Sequence, residues 1–369
     1  MLLSFRMRDN RTLDGRGQSI SRMSSDQREQ QLNQWARIQL ADMSIEIPEC
    51  YRLVPASDDA SFRRYFRYED DSRSFIFVDA PPEKEDSRPF VSISEYLLDH
   101  GLNAPEVYSV DFDLGFMMLT DLGHLQYLKV IKGVIKGRAG AEEISSLYKD
   151  AINALVKMQS ISAQLPLYDA SLLQTEMDLF PDWFVRNQLK LELSDREIEM
   201  LKSVNRLMID SAIAQPQVFV HRDYHRRNLM VTSENNPGII DFQDAVIGPV
   251  TYDLVSLLRD CYLELPPDEL NYWVQNCYRL MVAQHIIEGI SLDAFRRWFD
   301  FMGLQRQLKC AGIFSRLHLR DGKAGYLADI PRVVTYMVEV CSAYKELNEF
   351  GGWLGEVIVP RLSAVEFTR

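Results

Sequence analysis

Apolar and polar residues change their spacing several times along this chain, and each change marks a different element. From Met23 the pattern turns helical: Ser24, Ser25 and Asp26 offer caps ahead of REQQLNQWARIQL, which puts Leu32, Trp35 and Gln39 on one face. Residues 51–80 alternate instead, as YRLVPA, FRRYFRYED and SFIFVDA separated by the turns SDDAS and DSR, and so predict three strands. Residues 89–100 return to helical spacing, with Val91, Tyr96 and Leu97 inward. Residues 101–123 give two further strands about an Asp111-Phe112-Asp113 turn and end in MMLTDLG.

Helical spacing then dominates. Residues 142–161 carry Leu147, Ala151, Leu155 and Met158 at steps of three or four, an amphipathic stripe that packs as core. The KVIKGVIKGRAG ahead of it reads as a mobile, solvated loop. Residues 178–193, with Trp183, Phe184 and Arg186, and residues 198–214 are further helices. After them the apolar run Val218, Phe219, Val220 enters a polar loop, and two short apolar runs, 229–231 and 238–240, flank Ser233, Asn235, Asn236 and Pro237. That is a strand, a loaded loop and a hairpin. Gly248 and Pro249 turn the chain into another helix with Asp253 near its start, where a carboxylate caps free amides.

Length and charge narrow the picture. At 369 residues the chain exceeds the usual single core, so two lobes are expected, and 46% hydrophobic with 25% charged residues is ordinary globular composition. A net charge of −12 argues against a nucleic-acid partner. Cys50, Cys261, Cys277, Cys310 and Cys341 are odd in number and lack C-x-x-C spacing, so they read as reduced residues of a cytoplasmic protein. Residues 1–22 hold five arginines and two glycines and cannot bury an apolar face, which predicts disorder there and makes Met23 a candidate start. No run resembles a signal peptide or a membrane span.

The loaded loop carries the chemistry. Asp223 is followed five residues later by Asn228, and the hairpin ends on Asp241, so three oxygen-bearing side chains converge. Such a trio suits magnesium phosphoryl transfer: one carboxylate accepts a hydroxyl proton, while an amide oxygen and a second carboxylate hold the metal. A zinc site on His221 and His225 is the weaker reading, because the pair brackets Asp223 in a loop instead of sharing a helix face.

His221, Asp223, Asn228 and Asp241 match the H-x-D-x-x-x-x-N and following D-F pattern, and the chain here resembles the aminoglycoside phosphotransferase and choline kinase-like family. The resemblance implies an α+β, protein-kinase-like two-lobed fold: an N-lobe of small antiparallel sheet (residues 23–121) and a larger, mainly helical C-lobe (residues 122–369). It implies ATP and Mg²⁺, with Asp223 as base, His221 bracing the loop, Asn228 and Asp241 on the metal, and Arg226 or Arg227 neutralising the transferred group. It implies that Asp253 braces the catalytic loop. It also places adenine against Met117, Met118, Leu119 and Thr120.

Two departures stand out. The first turn, Asp58 to Ser61, has no glycine, leaving Ser61 to meet phosphate. The third strand offers Asp79 where the family has a lysine, so Arg64 is expected to substitute, with Arg63 and Lys84 as rivals, or else all the strand arginines are solvated edge charges. Glu95 is either the partner of that cation or a surface residue.

The C-terminal stretch, basic in an acidic protein, and DAPPEKED resemble the bacterial subgroup acting on the anomeric hydroxyl of N-acetylmuramic acid and N-acetylglucosamine in cell-wall recycling. The lactyl carboxylate of the former needs a cation if buried. Arg306 and Lys309, three apart on one helix face, are the expected supply. An aminoglycoside kinase, a choline kinase with an aromatic cage, and an inactive binding module are the alternatives.

Overall fold

The computed structural model describes residues 25–48, 50–56, 63–135 and 140–362. Residues 1–22, whose disorder was an expectation, and Ser61 lie outside them. The chain divides into two compact units, one of the described residues up to Leu125 together with Met230–Asp244, the other of Gln126–Leu229 and the residues from Ala245. The hairpin that ends on Asp241 thus belongs to the first unit, a grouping that a division at residue 121 does not contain. Among the described residues no helix is long and apolar enough to cross a membrane.

In the first unit helix α1 (Ser25–Asp42) precedes strands β1 (Val54–Pro55), β2 (Arg64–Glu69) and β3 (Ser74–Asp79). Helix α2 (Arg88–Asp99) and strands β4 (Val107–Asp111) and β5 (Phe116–Thr120) follow, in an antiparallel sheet of order β1-β2-β3-β5-β4. Alternation gives the sheet two faces. Phe66, Tyr68, Phe75, Phe77, Phe116 and Met118 form one, and they pack against Leu32, Ala36 and Leu40 of α1. Trp35 flanks this cluster, 6.1 Å from Phe77 and 5.9 Å from Phe116, while Gln39 is only half-buried and Leu40 takes its expected place. In α2 the inner residues are Phe90, Ile93, Ser94 and Leu97, so Val91 and Tyr96 sit off the face first assigned to them. Phe90 sets that phase by stacking on Phe242 of the hairpin, 4.8 Å between centroids. The β4–β5 turn needs Gly115, whose φ is +71° and where a Cβ would lie 2.0 Å from the Ala80 carbonyl oxygen.

The second unit opens with α3 (Tyr127–Ile135), which buries Tyr127, Leu128 and Ile131. KVIKGVIK is therefore helical up to Ile135, a correction to the loop expected there. Helix α4 (Ala141–Gln159) buries Leu147, Ala151, Leu155 and Met158 as its stripe predicts. The helix expected over 178–193 is a shorter π-helical segment (Phe180–Gln188), and ahead of it stands α5 (Ala170–Met177), capped by Asp169, which the sequence reading did not include. Helix α6 (Asp195–Ile213) starts on a Ser194/Glu197 capping box.

Strand β6 (Gln217–Val220) follows; the chain passes through the hairpin strands β7 (Leu229–Met230) and β8 (Gly238–Ile239), and β9 (Val246–Pro249) pairs antiparallel with β6. Helices α7 (Tyr252–Leu258), α8 (Pro267–Ala283), α9 (Leu292–Asp321) and α10 (Ile330–Ala343) follow, and α11 (Asn348–Trp353) and α12 (Val359–Leu362) come after them. Helix α9 is buried on every side over most of its middle third, and Gly312 permits its approach to Leu179, whose carbonyl carbon would be 2.4 Å from an added Cβ.

Candidate active site

Strand β6 delivers His221, which is fully buried, its ring edge-on to Tyr224. Its Nδ1 accepts the backbone N–H of Asp223 at 3.2 Å. Asp253, second residue of α7, does not cap its own helix. Its carboxylate accepts the backbone N–H groups of His221 (2.6 Å) and Arg222 (3.0 Å), the bracing role that the resemblance implied. Burial pushes the Asp253 carboxyl up to about 7, against the pull of those amides and of Arg306. The bracing spans a strained turn, since Arg222 has φ +74°. The loop then closes on itself: the Asp223 carbonyl accepts from the Asn228 side-chain amide (3.0 Å) and the His225 N–H (2.8 Å). Asp223 is thereby fixed through its main chain, and Asn228 is turned with its NH₂ toward that carbonyl.

Behind the loop lies a buried ionic network. Glu176 of α5 pairs with Arg222 (2.5 Å) and Lys309 (2.8 Å) and accepts a short bond from Tyr168. Lys309 also donates to the Tyr252 hydroxyl at 3.0 Å. Arg306 donates to the Arg222 carbonyl (3.1 Å) and to Ser256 (2.7 Å), its guanidinium 4.4 Å from the centre of the Tyr252 ring. Burial alone would raise the Glu176 carboxyl, but Lys309 and Arg222 outweigh it and hold the group at about 2.

Arg306 and Lys309 do share one side of α9, yet that side packs inward. The expectation that they face an acceptor carboxylate is therefore corrected: Lys309 neutralises Glu176, and Arg306 supports the strained Arg222 turn. Arg226 is corrected too, for it is fully buried, pairs with Asp260 at 2.8 Å and donates to the Leu263 carbonyl. Its guanidinium lies over Tyr148, so it holds the loop's far side and does not meet a transferred group. The zinc reading fails on position as well, with His221 engaged by Asp223 and His225 packed edge-on against Tyr262.

In the first unit Asp241 has φ +68° and accepts a bond from the Gln243 side chain at 2.9 Å. Arg64 lies on the α1 face. It binds Asp79 at 2.6 Å, and Arg28 of α1 binds the same carboxylate through its Nε at 2.8 Å. The expected phosphate-binding role of Arg64 is therefore corrected: the residue clamps α1 to the sheet, and Asp79 is the anion of that clamp. Arg63 faces the other way, 2.7 Å from Glu85, while Lys84 and Glu95 are exposed. Leu119, opposite Ile76 in the sheet, is buried on the face away from α1, and the Thr120 hydroxyl lies 3.4 Å from that of Tyr108. Met118 belongs to the α1 cluster and leaves the inner wall expected to include it.

Residues 52–276 match the family model described as the phosphotransferase enzyme family, APH. The chain belongs to this family. It is 42% identical over 90% of its length to an N-acetylmuramate/N-acetylglucosamine kinase of Pseudomonas putida, 97% of which it covers. It is 40% identical over 91% of its length to the protein of the same description in Pseudomonas aeruginosa, covering 98% of it. An ADP-bound aminoglycoside phosphotransferase shares the fold with a TM-score of 0.53 at 15% identity, the match covering 84% of this chain and 98% of that one.

Three charged residues that pair inside this phosphotransferase escaped the sequence reading. Glu176 is a carboxylate on the apolar stripe with Leu173 and Met177, and a charge on a core-facing stripe is itself a signal of a buried partner. Arg222 sits between His221 and Asp223 and carried no pattern of its own. Glu85 was legible only as part of DAPPEKED.

Proposed function

We propose that this phosphotransferase is an ATP-dependent sugar kinase whose acceptor is the anomeric hydroxyl of N-acetylmuramic acid and N-acetylglucosamine. The observation that supports phosphoryl transfer most directly is the hold on the Asp223 loop, with His221 and Asn228 on the Asp223 main chain and Asp253 on the amides of His221 and Arg222; the acceptor class rests on the names of the two Pseudomonas relatives. Asp223 orients the sugar hydroxyl and takes its proton as the new O–P bond forms and the bond from the γ-phosphorus to the ADP oxygen breaks. The products are a sugar phosphate and ADP.

Asn228 and Asp241 would hold Mg²⁺, which supplies charge neutralisation on the nucleotide phosphates. The donor chemistry fits. An amide oxygen and a carboxylate are hard ligands, and an ion that keeps most of its waters needs only one or two from protein. Among the described residues no group of three or more His, Cys, Asp or Glu side chains forms a closed cage, as such an ion requires none. Trp273, a candidate wall for a choline cage, is buried against Tyr148 and Tyr272.

An ADP-release assay over a panel of the two amino sugars, an aminoglycoside and choline tests the reading. ADP release is expected with the amino sugars and at background with the other two; preference for choline or the aminoglycoside would contradict it.

A further inference from the structure

Strand β3 carries no cation for nucleotide phosphates, and its anion is already engaged. Asp79, 1% exposed, is held by Arg28 and Arg64 on the face that α1 covers. On the opposite face, at the head of β2, Arg63 is 5% exposed with its guanidinium 2.7 Å from Glu85. Tyr65, next on that face by alternation, hydrogen-bonds to it, and the charge of Asp241 reaches it. The charges of Asp241 and Asp244 also reach Glu85. The Arg63 guanidinium thus pairs directly with Glu85, and both lie in the same unit as the end of the hairpin.

We propose that Arg63 binds the phosphates of the nucleotide, with Glu85 as its positioning residue. The cation then comes from the head of the second strand and its carboxylate partner from the loop ahead of α2, not from α2 itself. This rests on the phosphotransferase reading and names a residue that reading leaves open. A guanidinium suits the task, because its rigid fork matches phosphate oxygens two at a time and it stays charged when buried. Burying it without a partner would be costly, and Glu85 supplies that partner while no nucleotide is bound. The negative charge left over around Arg63 suits a magnesium-bound nucleotide in place of a bare one.

Calorimetric titration with ADP and with adenosine separates this role from a structural one. Arg63→Met is expected to weaken ADP about ten- to a hundredfold, the value of a charge-assisted contact, and to leave adenosine unchanged. Arg63→Lys should recover part of the loss. Because Arg63→Met leaves Glu85 buried without its cation, the double variant Arg63→Met/Glu85→Gln is measured beside it. That variant should melt close to wild type and still bind ADP weakly. Arg64→Met, which removes only the α1 clamp, should keep the wild-type ratio of ADP to adenosine affinity. Unchanged ADP affinity in the Arg63 variants, or a loss shared equally by adenosine, overturns the assignment and leaves the phosphotransferase reading standing. A wild-type protein that binds no ADP overturns that reading itself, and the assignment with it.

Discussion

Asp223→Asn is expected to lower turnover about 10²–10⁴-fold, the usual worth of a positioned general base, with folding and ATP binding intact. The substitution is narrow because the loop holds Asp223 by its main chain: its N–H goes to His221, and its carbonyl accepts from Asn228 and His225. None of these bonds needs the carboxylate. An amide of the same shape keeps the turn and removes the carboxylate charge together with its capacity to accept the proton. ADP release gives the turnover, nucleotide titration the affinity, and thermal melting the fold. Turnover within a few-fold of wild type would remove Asp223 from the reaction.

Glu176→Gln is expected to cost stability on the scale of about 3–5 kcal/mol, because it leaves Arg222 and Lys309 buried without their carboxylate. Both cations lie within 2.8 Å of one Glu176 oxygen in the native protein. The same residue sets a pH dependence. Its folded-state value of about 2 lies below the ordinary glutamate value of about 4.3, so the unfolded chain takes up a proton where the native one does not. The contribution is therefore complete above the unfolded value and is lost as pH falls from there through about 2. Urea unfolding of wild type and variant over that acid range checks both points: the variant should be less stable at neutral pH, and the difference should shrink as pH falls. Equal stability at neutral pH would contradict the network.

The loop from His221 to Asn228 was legible because it is local. His221, Asp223 and Asn228 act on one another within eight residues, so spacing carries their geometry. Faces were harder. Alternation separates Arg63 from Arg64 but does not say which face α1 covers, and that depends on Leu32, Ala36 and Leu40 finding Phe66 and Phe77. Once they do, Asp79 ceases to be an anomaly in a phosphate site and becomes the anchor of α1. Arg306 and Lys309 failed for a similar reason. Spacing of three places two side chains on one side of a helix, yet only the packing of α9 shows that this side is enclosed, with Glu176 and Tyr252 awaiting the lysine. The assignment of Met230–Asp244 to the first unit likewise depends on contacts distant in sequence, such as Phe90 on Phe242.

The central claim is transfer to the anomeric hydroxyl, and the position of the phosphate in the product tests it most directly. Phosphorus NMR of the reaction with ATP, Mg²⁺ and N-acetylmuramic acid or N-acetylglucosamine should show a phosphate coupled to the anomeric proton, and the methyl glycoside of N-acetylglucosamine should not react. A product phosphorylated at another carbon, or a methyl glycoside that turns over as well as the free sugar, would contradict it.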